Sequence, residues 1–433
     1  MRTSRIPGFY QLSIQDRIKK LAETYELDIS EVEALSSQGA LTLEQADKMI
    51  ENAVGIFSLP IGIGANFLIN NKEYLVPMAI EEPSVVAAAS FGAKIVRDAG
   101  GFQTSSTDSI MMGQIQVVDC PDIEAAQAAI LADADHLIQF ANAELIANLK
   151  ARGGGVKSIE TQILGRGSAY PAMLIVQVFI DTCDAMGANL INTTVEGLAP
   201  RIESLSQGKV YLRILSNLAD RRLARARCVI PPHCLTTTHY EGEEVIKGIV
   251  HAQNFAILDP YRAATHNKGV MNGVDAVVMA TGNDWRSVEA AAHAYAARSG
   301  QYRAMTEWYC DDQGNLVGEL ELPMAMGIVG AAISMHPMAK IALKFLRVKT
   351  ARELAEVTVC VGLAQNLSAI RALATDGIQK GHMALHSRTV AMTAGATGDQ
   401  VDQLAAELVR CKDVTLSRAQ EIMASWQAHE NKA

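Results

Sequence analysis

Positive charge is in short supply in this sequence: Lys and Arg number 38 against 47 Asp and Glu, a formal net charge of -9. That balance gives no global pull on nucleic acid phosphates and leaves only local basic pockets. Cysteine is sparse and unpaired in pattern, with seven residues at 120, 183, 228, 234, 310, 360 and 411 and no Cys-x-x-Cys. A secreted disulfide framework is excluded, and a reducing cytoplasm fits. The stretch from Met1 to Tyr10 has Arg2, Arg5 and Pro7 but no apolar core of the kind a signal peptide needs. The longest weakly polar run, Pro323 to Met335, is interrupted by glycine and ends at His336, short of the ~20 residues that span a bilayer. The expectation is a soluble cytoplasmic protein with no nucleic acid and no membrane partner.

The common cofactor motifs are missing too. Gly62-Ile63-Gly64 sits in a plausible turn, but the third glycine of a Rossmann fingerprint falls on Phe67. Gly208-Lys209 is followed by Val210, so there is no P-loop. Cys228, His233, Cys234 and His239 supply enough donors for zinc, yet their spacing matches no usual finger and Pro231-Pro232 stiffens the segment. His382 and His386 stand at i and i+4, one helix face, but the zincin pattern needs glutamate where Met383 stands. No metal is expected.

What is present is a long, half-apolar chain of 433 residues, 49% hydrophobic, enough for about two to four compact units. Thr42 and Gln45 have capping-box spacing and predict a helix over 43–54, with others over 12–22 and 29–36. Apolar runs at 65–69 and 74–80 flank Asn70-Asn71-Lys72 and predict a hairpin. An Ala-rich helix follows from Val85 to about Asp98, stopped by Gly100-Gly101. Residues 109–217 read as strand, long helix (122–150), two strands, helix and strand, an α+β unit of its own. Helices dominate 241–300, two strand-like runs flank Asp311 to Asn315, and helices return from His336, with two amphipathic ones after Gly395 to Gly398.

Three constellations could carry chemistry. Glu81-Glu82 lies between an apolar strand and an Ala-rich helix. A carboxyl group drawn out of bulk water there becomes a better proton donor, although acidic residues at a helix start also serve as dipole-compensating caps. Lys268, amid Asn267, Gly269 and Asn272, suits a developing oxyanion. It stands 16 positions before Asp284, so one straight helix would part the two by about 24 Å. Their pairing needs a chain reversal, expected at Gly269 and Gly273. Asp184 to Asn189 joins a strand to a helix through small residues, a place where backbone N–H groups can meet a pyrophosphate.

Eight segments in order resemble 3-hydroxy-3-methylglutaryl-coenzyme A reductases of the soluble microbial class II form: Arg5 to Phe9, Met49 to Gly55, Glu81 to Ser90, Asp184 to Asn189, Arg213 to Ala219, Asp259 to Gly273, Ala280 to Arg286 and Gly381 to His386. The resemblance implies an α+β fold with a large, mostly helical substrate domain (1–108 and 218–377). A small non-Rossmann α/β cofactor domain (109–217) interrupts it, and a helical C-terminal flap (378–433) follows. It also implies two hydride transfers from NADH or NADPH, taking the thioester through a hemithioacetal and mevaldehyde to mevalonate and coenzyme A. By position, Lys268 matches the oxyanion-stabilising lysine and Asp284 its charge partner. Glu82 matches the acid that protonates the aldehyde oxygen, and His382 the imidazole that quenches the coenzyme A thiolate. Ser84, Arg262 and Asn272 match substrate contacts, while Asp184, Met186, Gly187, Ala188, Asn189 and Asn217 match cofactor contacts. A homodimer with shared active sites is implied as well.

Two departures stand out. Gly330-Ala331-Ala332-Ile333-Ser334 replaces a Gly-Gly-Ala-Thr-like segment, which predicts altered packing near the substrate. Near Gly153, Glu144 could meet a ribose 2′-hydroxyl, or Lys150 and Arg152 a 2′-phosphate, leaving both nicotinamide cofactors open. Two rival readings predict different behaviour: a coenzyme A thioester lyase or hydrolase would ignore nicotinamide, and a silent acyl-coenzyme A binding protein would turn nothing over.

Overall fold

The computed structural model describes residues 3–37, 41–375, 377 and 387–430. Side-chain caps on Ser13, Asp28 and Thr42 start the N-terminal helices Ile14–Tyr25, Ile29–Ser36 and Leu43–Met49, the last through the expected capping box. That third helix stops at Met49 instead of 54, because Ile50 and Val54 are exposed and have no surface against which an amphipathic face could be buried. The hairpin forms as expected, with Ile61–Ile69 antiparallel to Lys72–Ala79. Its turn residues, Asn70 and Asn71, have φ of 46° and 60°, the left-handed pair that matches strand twist.

Two four-stranded antiparallel sheets follow. The first runs in the order Gln103–Ser106, Leu223–Ile230, Leu316–Pro323, Thr306–Cys310. Its inner face alternates Ala224, Ala226, Cys228 and Ile230 into the core, and its outer face pairs Arg227 with Glu319 across strands. The second runs Gly155–Leu164, Met173–Asp181, Ile110–Val118, Lys209–Ser216. It has its own core with the helix Ala188–Ser206, centred on Ile115, Val178, Val195 and Leu198. The long helix expected over 122–150 is instead Ile123–Ala132, Ala134–Phe140, a wide turn Ala141–Leu145 and Ala147–Ala151. Asn142 explains the interruption. Its side chain pairs with both backbone groups of Val156 (2.8 and 3.1 Å), tying the turn to the sheet.

Behind the first sheet lie Gly242–Leu258, Pro260–Ala280, Trp285–Ala296 and the central helix Ala351–Ala374. The chain reversal expected at Gly269 and Gly273 does not occur: Pro260–Ala280 is one unbroken helix. Gly273 serves close packing, since a Cβ there would lie 2.8 Å from the Val361 carbonyl of the central helix. Among the described residues, Ala351–Ala374 is the helix long and apolar enough to cross a membrane by length and composition. The sequence reading, which stopped at Pro323 to Met335, overlooked it. Most of its apolar stretch is buried in the core. At the C-terminus, Asp399–Arg410 and Leu416–Glu430 enclose a separate small core of Val390, Ala391, Leu404, Leu408 and Ala419.

Candidate active site

The strand Lys72–Ala79 delivers Glu82 and Ser84 to the start of the helix Val85–Asp98. Ser84 is unusual there. It takes φ 75° and gives the helix no side-chain cap, a backbone conformation that costs about 1–3 kcal/mol in a non-glycine residue. Its buried Oγ has no hydrogen-bond partner among the described residues. Facing this turn is the helix Pro260–Ala280, opened by Pro260 and by Asp259, which accepts from the Arg262 N–H at 2.9 Å. Lys268 and Asn272, one turn apart on the same face, both reach Glu82. Lys268 Nζ lies 2.5 Å from Glu82 Oε2, and Asn272 Nδ2 donates to Oε1 at 3.4 Å. The carboxylate keeps 39% of its side-chain exposure, so it is less withdrawn from water than the sequence suggested, and its near neighbour is an ammonium. Arg262 is half-buried, and burial lowers its pKa. No carboxylate pairs with it among the described residues.

Beneath Lys268 the same helix carries a buried polar network that the sequence reading missed. His266 Nε2 lies 2.6 Å from Thr306 Oγ1 and 3.2 Å from Asn366 Nδ2, and Asn366 Oδ1 accepts from the Trp308 indole at 2.8 Å. Burial, reinforced by the Arg262 charge, pushes the His266 imidazole down to about 3. It is therefore neutral at physiological pH. Asn267 pins the loop after the next helix, donating to Arg303 O and accepting from Met305 N, both at 2.8 Å. This network fixes the azimuth of the helix, and with it the direction in which Lys268 leaves.

Asp284 lies elsewhere. It caps the helix Trp285–Ala296, accepting from Ser287 N at 3.3 Å, and Arg286 approaches it at 3.6 Å. The twelve steps from Lys268 to the helix end at Ala280 span ~18 Å, and Lys268 pairs with Glu82 and Asp284 with Arg286, so the expected pairing of Lys268 with Asp284 is not made within the described chain. What Asp284 does adjoin is the expected cofactor region. Ser287 Oγ donates to Asn217 Oδ1 at 3.0 Å, and Asn283 holds Gly327 through both backbone groups (2.7 and 3.1 Å). Ile328 N donates to the Asp184 carbonyl at 3.0 Å. The Asp184 carboxylate accepts from Ala351 N at 2.8 Å, so in this state it anchors the central helix. Gly187, with φ 100°, turns the chain into Ala188–Ser206 without a side-chain cap. The first backbone N–H groups of that long helix are thus left for an anion, which fits a dinucleotide pyrophosphate.

Met186, Ala188 and Asn189 sit on the same turn. Ile333, from the departing Gly330 to Ser334 segment, is buried within about 3.7 Å of where a Gly282 side chain would begin, beside the Asp284 turn. His382 and His386 lie outside the described residues. A cleft of about 710 Å³ lined by Ile56, Phe57, Met279, Asn283, Trp285 and His336 adjoins the Asp284 turn. The polar cavity of about 690 Å³ on the outer face of the first sheet, among Arg225, Arg227 and Glu319, contains none of the expected site residues.

The chain has relatives in sequence and in fold. Residues 13–387 match the family model for hydroxymethylglutaryl-coenzyme A reductase. The chain is 52% identical over 423 residues to 3-hydroxy-3-methylglutaryl-coenzyme A reductase of Archaeoglobus fulgidus, covering 97% of this chain and 94% of that one. The Streptococcus pneumoniae reductase structure superposes with a TM-score of 0.82 at 39% identity, over 97% of this chain and 99% of that one. A structure of the class II enzyme from the same species, bound to NADPH in open conformations, gives 0.81 at 39% identity, over 85% and 99%. With the family match running over residues 13–387 and the likeness extending along the whole fold, this chain belongs to the hydroxymethylglutaryl-coenzyme A reductase family.

Proposed function

We propose that the chain reduces hydroxymethylglutaryl-coenzyme A to mevalonate and coenzyme A as a homodimer whose active sites are shared. Each would take Glu82, Lys268 and Asn272 from one copy, and Asp284 with the cofactor turn from the other. The observation that carries this reading is the unbroken helix Pro260–Ala280, which gathers Glu82 and Asn272 around Lys268 while holding Asp284 at its far end. A second copy also has a surface to cover. Val54 is 101% and Phe57 91% exposed on the irregular stretch beside the apolar cleft at Asn283 and Trp285, an apolar patch of the kind that marks an interface.

In the overall balance, one thioester, two NAD(P)H and two protons yield one primary alcohol, one thiol and two NAD(P)+. The nicotinamide supplies both hydrides when bound at the turn Asp184 to Asn189. The chain's own groups manage charge and protons. Lys268 holds the negative charge that builds on the carbonyl oxygen, with Asp284 as its counter-charge. Glu82 donates a proton to the aldehyde oxygen, and His382 donates one to the departing thiolate, whose unperturbed pKa is ~8.5. Ser84, Arg262 and Asn272 orient the acyl-coenzyme A. Separate cores behind the first sheet, behind the second sheet and at the C-terminus support a division into substrate, cofactor (109–217) and C-terminal flap (378–433) units, the flap bringing His382 to the site as it closes. Free thiols throughout the described residues suit a reducing, cytoplasmic setting.

The test supplies hydroxymethylglutaryl-coenzyme A with NADH or NADPH in separate cuvettes and follows nicotinamide absorbance. Substrate-dependent oxidation with two nicotinamides consumed per mevalonate is expected. No oxidation with either cofactor would overturn the reading. His382→Gln should slow thioester reduction more than reduction of free mevaldehyde, and equal losses would remove the thiolate-protonating role.

A further inference from the structure

Arg222 is buried, only 5% exposed, in the link between the second sheet and the strand Leu223–Ile230. Among the described residues no carboxylate lies within ion-pair distance of it. Its Nη1 donates to Thr182 Oγ1 and Ala185 O, both at 3.0 Å, and to Met186 O at 3.3 Å, and its Nη2 donates to Met326 O. Asp181 and Asp184 favour its charge only from longer range, and a buried charge without a close partner is costly. Here four acceptors from two separate segments replace its hydration, and removing the guanidinium would leave those acceptors buried and unpaired. Although desolvation lowers its pKa to about 10, it stays cationic at neutral pH.

The contacts continue in both directions. Thr182 Oγ1 donates to Ala185 O at 2.9 Å, closing the turn that precedes Gly187. Past Met326, Gly327 is gripped by Asn283, and a Cβ on Gly327 would lie 2.8 Å from Met186 N. Ala185 and Val329 form a parallel bridge. A continuous set of hydrogen bonds thus joins the turn 182–187, through Arg222 and the segment 324–329, to Asn283 and so to Asp284.

We infer that Arg222 is a positioning residue for hydride transfer, a rigid fork that registers the cofactor turn against the Asp284 turn. The inference rests on the reading of Asp184 to Asn189 as the nicotinamide site. A misplacement of 1 Å costs on the order of 10²-fold in such a reaction, so slack between these two turns is what the fork removes. Lysine, a single point donor, cannot span both segments.

The experiment measures NADPH dissociation constants by fluorescence and hydroxymethylglutaryl-coenzyme A dissociation constants by calorimetry on the full chain. Arg222→Lys should weaken NADPH about tenfold and Arg222→Met about a hundredfold, with acyl-coenzyme A binding unchanged. Thr182→Val, which removes one acceptor and keeps the shape, should weaken NADPH about threefold and decides the matter if Arg222→Met does not fold. NADPH binding at the wild-type level in both Arg222→Lys and Thr182→Val overturns the inference, as does parallel weakening of both ligands. Ala188→Asp tests the underlying reading by putting a carboxylate where the pyrophosphate would sit. Wild-type NADPH binding by Ala188→Asp defeats the cofactor assignment itself, whereas its loss alongside wild-type binding by both Arg222→Lys and Thr182→Val defeats only the role of Arg222.

Discussion

The surroundings of Lys268, within the helix Pro260–Ala280, and of Asp284, four residues past its end, are built differently. Around Lys268 the chain places a close ion pair over a buried polar network, with His266, Thr306, Asn366 and Trp308 in mutual contact. Around Asp284 it places a helix cap, half exposed, tied sideways to Asn217, Gly327 and the turn before Gly187. The first is fixed from below by the core, and the second by a neighbouring sheet. Lys268 pairs with Glu82, while Asp284, past the end of that helix, has Arg286 as its near cation. Under the proposed shared sites, Asp284 of a second copy would be the one to reach Lys268.

The most severe way to break this comparison is to remove the cation. Lys268→Ala should lower turnover on the order of 10³-fold or more, with the thermal midpoint little changed because the side chain is 60% exposed. Steady-state rates and calorimetry check it. A sharper cut mixes Lys268→Ala with Asp284→Ala, each inactive alone. After subunit exchange, sites shared between copies should return about a quarter of wild-type activity, because half of the sites in half of the dimers are intact. Sites confined to one chain would return none.

A smaller effect is a pH dependence that begins beneath Lys268. His266 has a folded pKa of about 3 against 6.5 for the free side chain, so its contribution is present above 6.5 and is lost as pH falls from 6.5 toward 3. Elsewhere, Glu73 on the strand Lys72–Ala79 is held down to about 2, from an ordinary 4.5, by Arg97 of the helix Val85–Asp98 and by Ser4, and loses its contribution only between 4.5 and 2. Urea midpoints should therefore begin to fall below pH 6.5, and His266→Gln should flatten that first decline while leaving the acid limb. The smallest effect is at Ser84. Ser84→Gly relieves a left-handed backbone and should stabilise the protein by about 1 kcal/mol while raising the KM for acyl-coenzyme A a fewfold. A loss of stability would mean that the orphan hydroxyl has a structural partner.

Much of the local structure could be read from the sequence. Asn70-Asn71 predicts its hairpin, Thr42 and Gln45 their cap, and Gly100-Gly101 the end of a helix, because each depends on residues within a few positions. The same local reasoning fails at Gly273, where it predicts a break in a helix that runs on unbroken. There it is the space needed by the Val361 carbonyl, 88 positions further along the sequence. Asn142 ended a helix for an equally distant reason, a strand edge at Val156 that spacing does not reveal. In the site, Glu82, Lys268 and Asn272 were legible as chemistry-bearing types. Arg222, Asn283 and Asn366 were not singled out, since each works through backbone groups or side chains from segments far along the chain.

By itself the sequence determined the family, the side chains able to hold an oxyanion and pass protons, and most element types, all of which are properties of residue identity and short spacing. Only the tertiary structure decided that the helix bearing Lys268 runs unbroken, that His266 is neutral, and that Arg222 spans two turns. Those outcomes depend on burial and on contacts between residues tens to hundreds of positions apart, which no window along the chain contains.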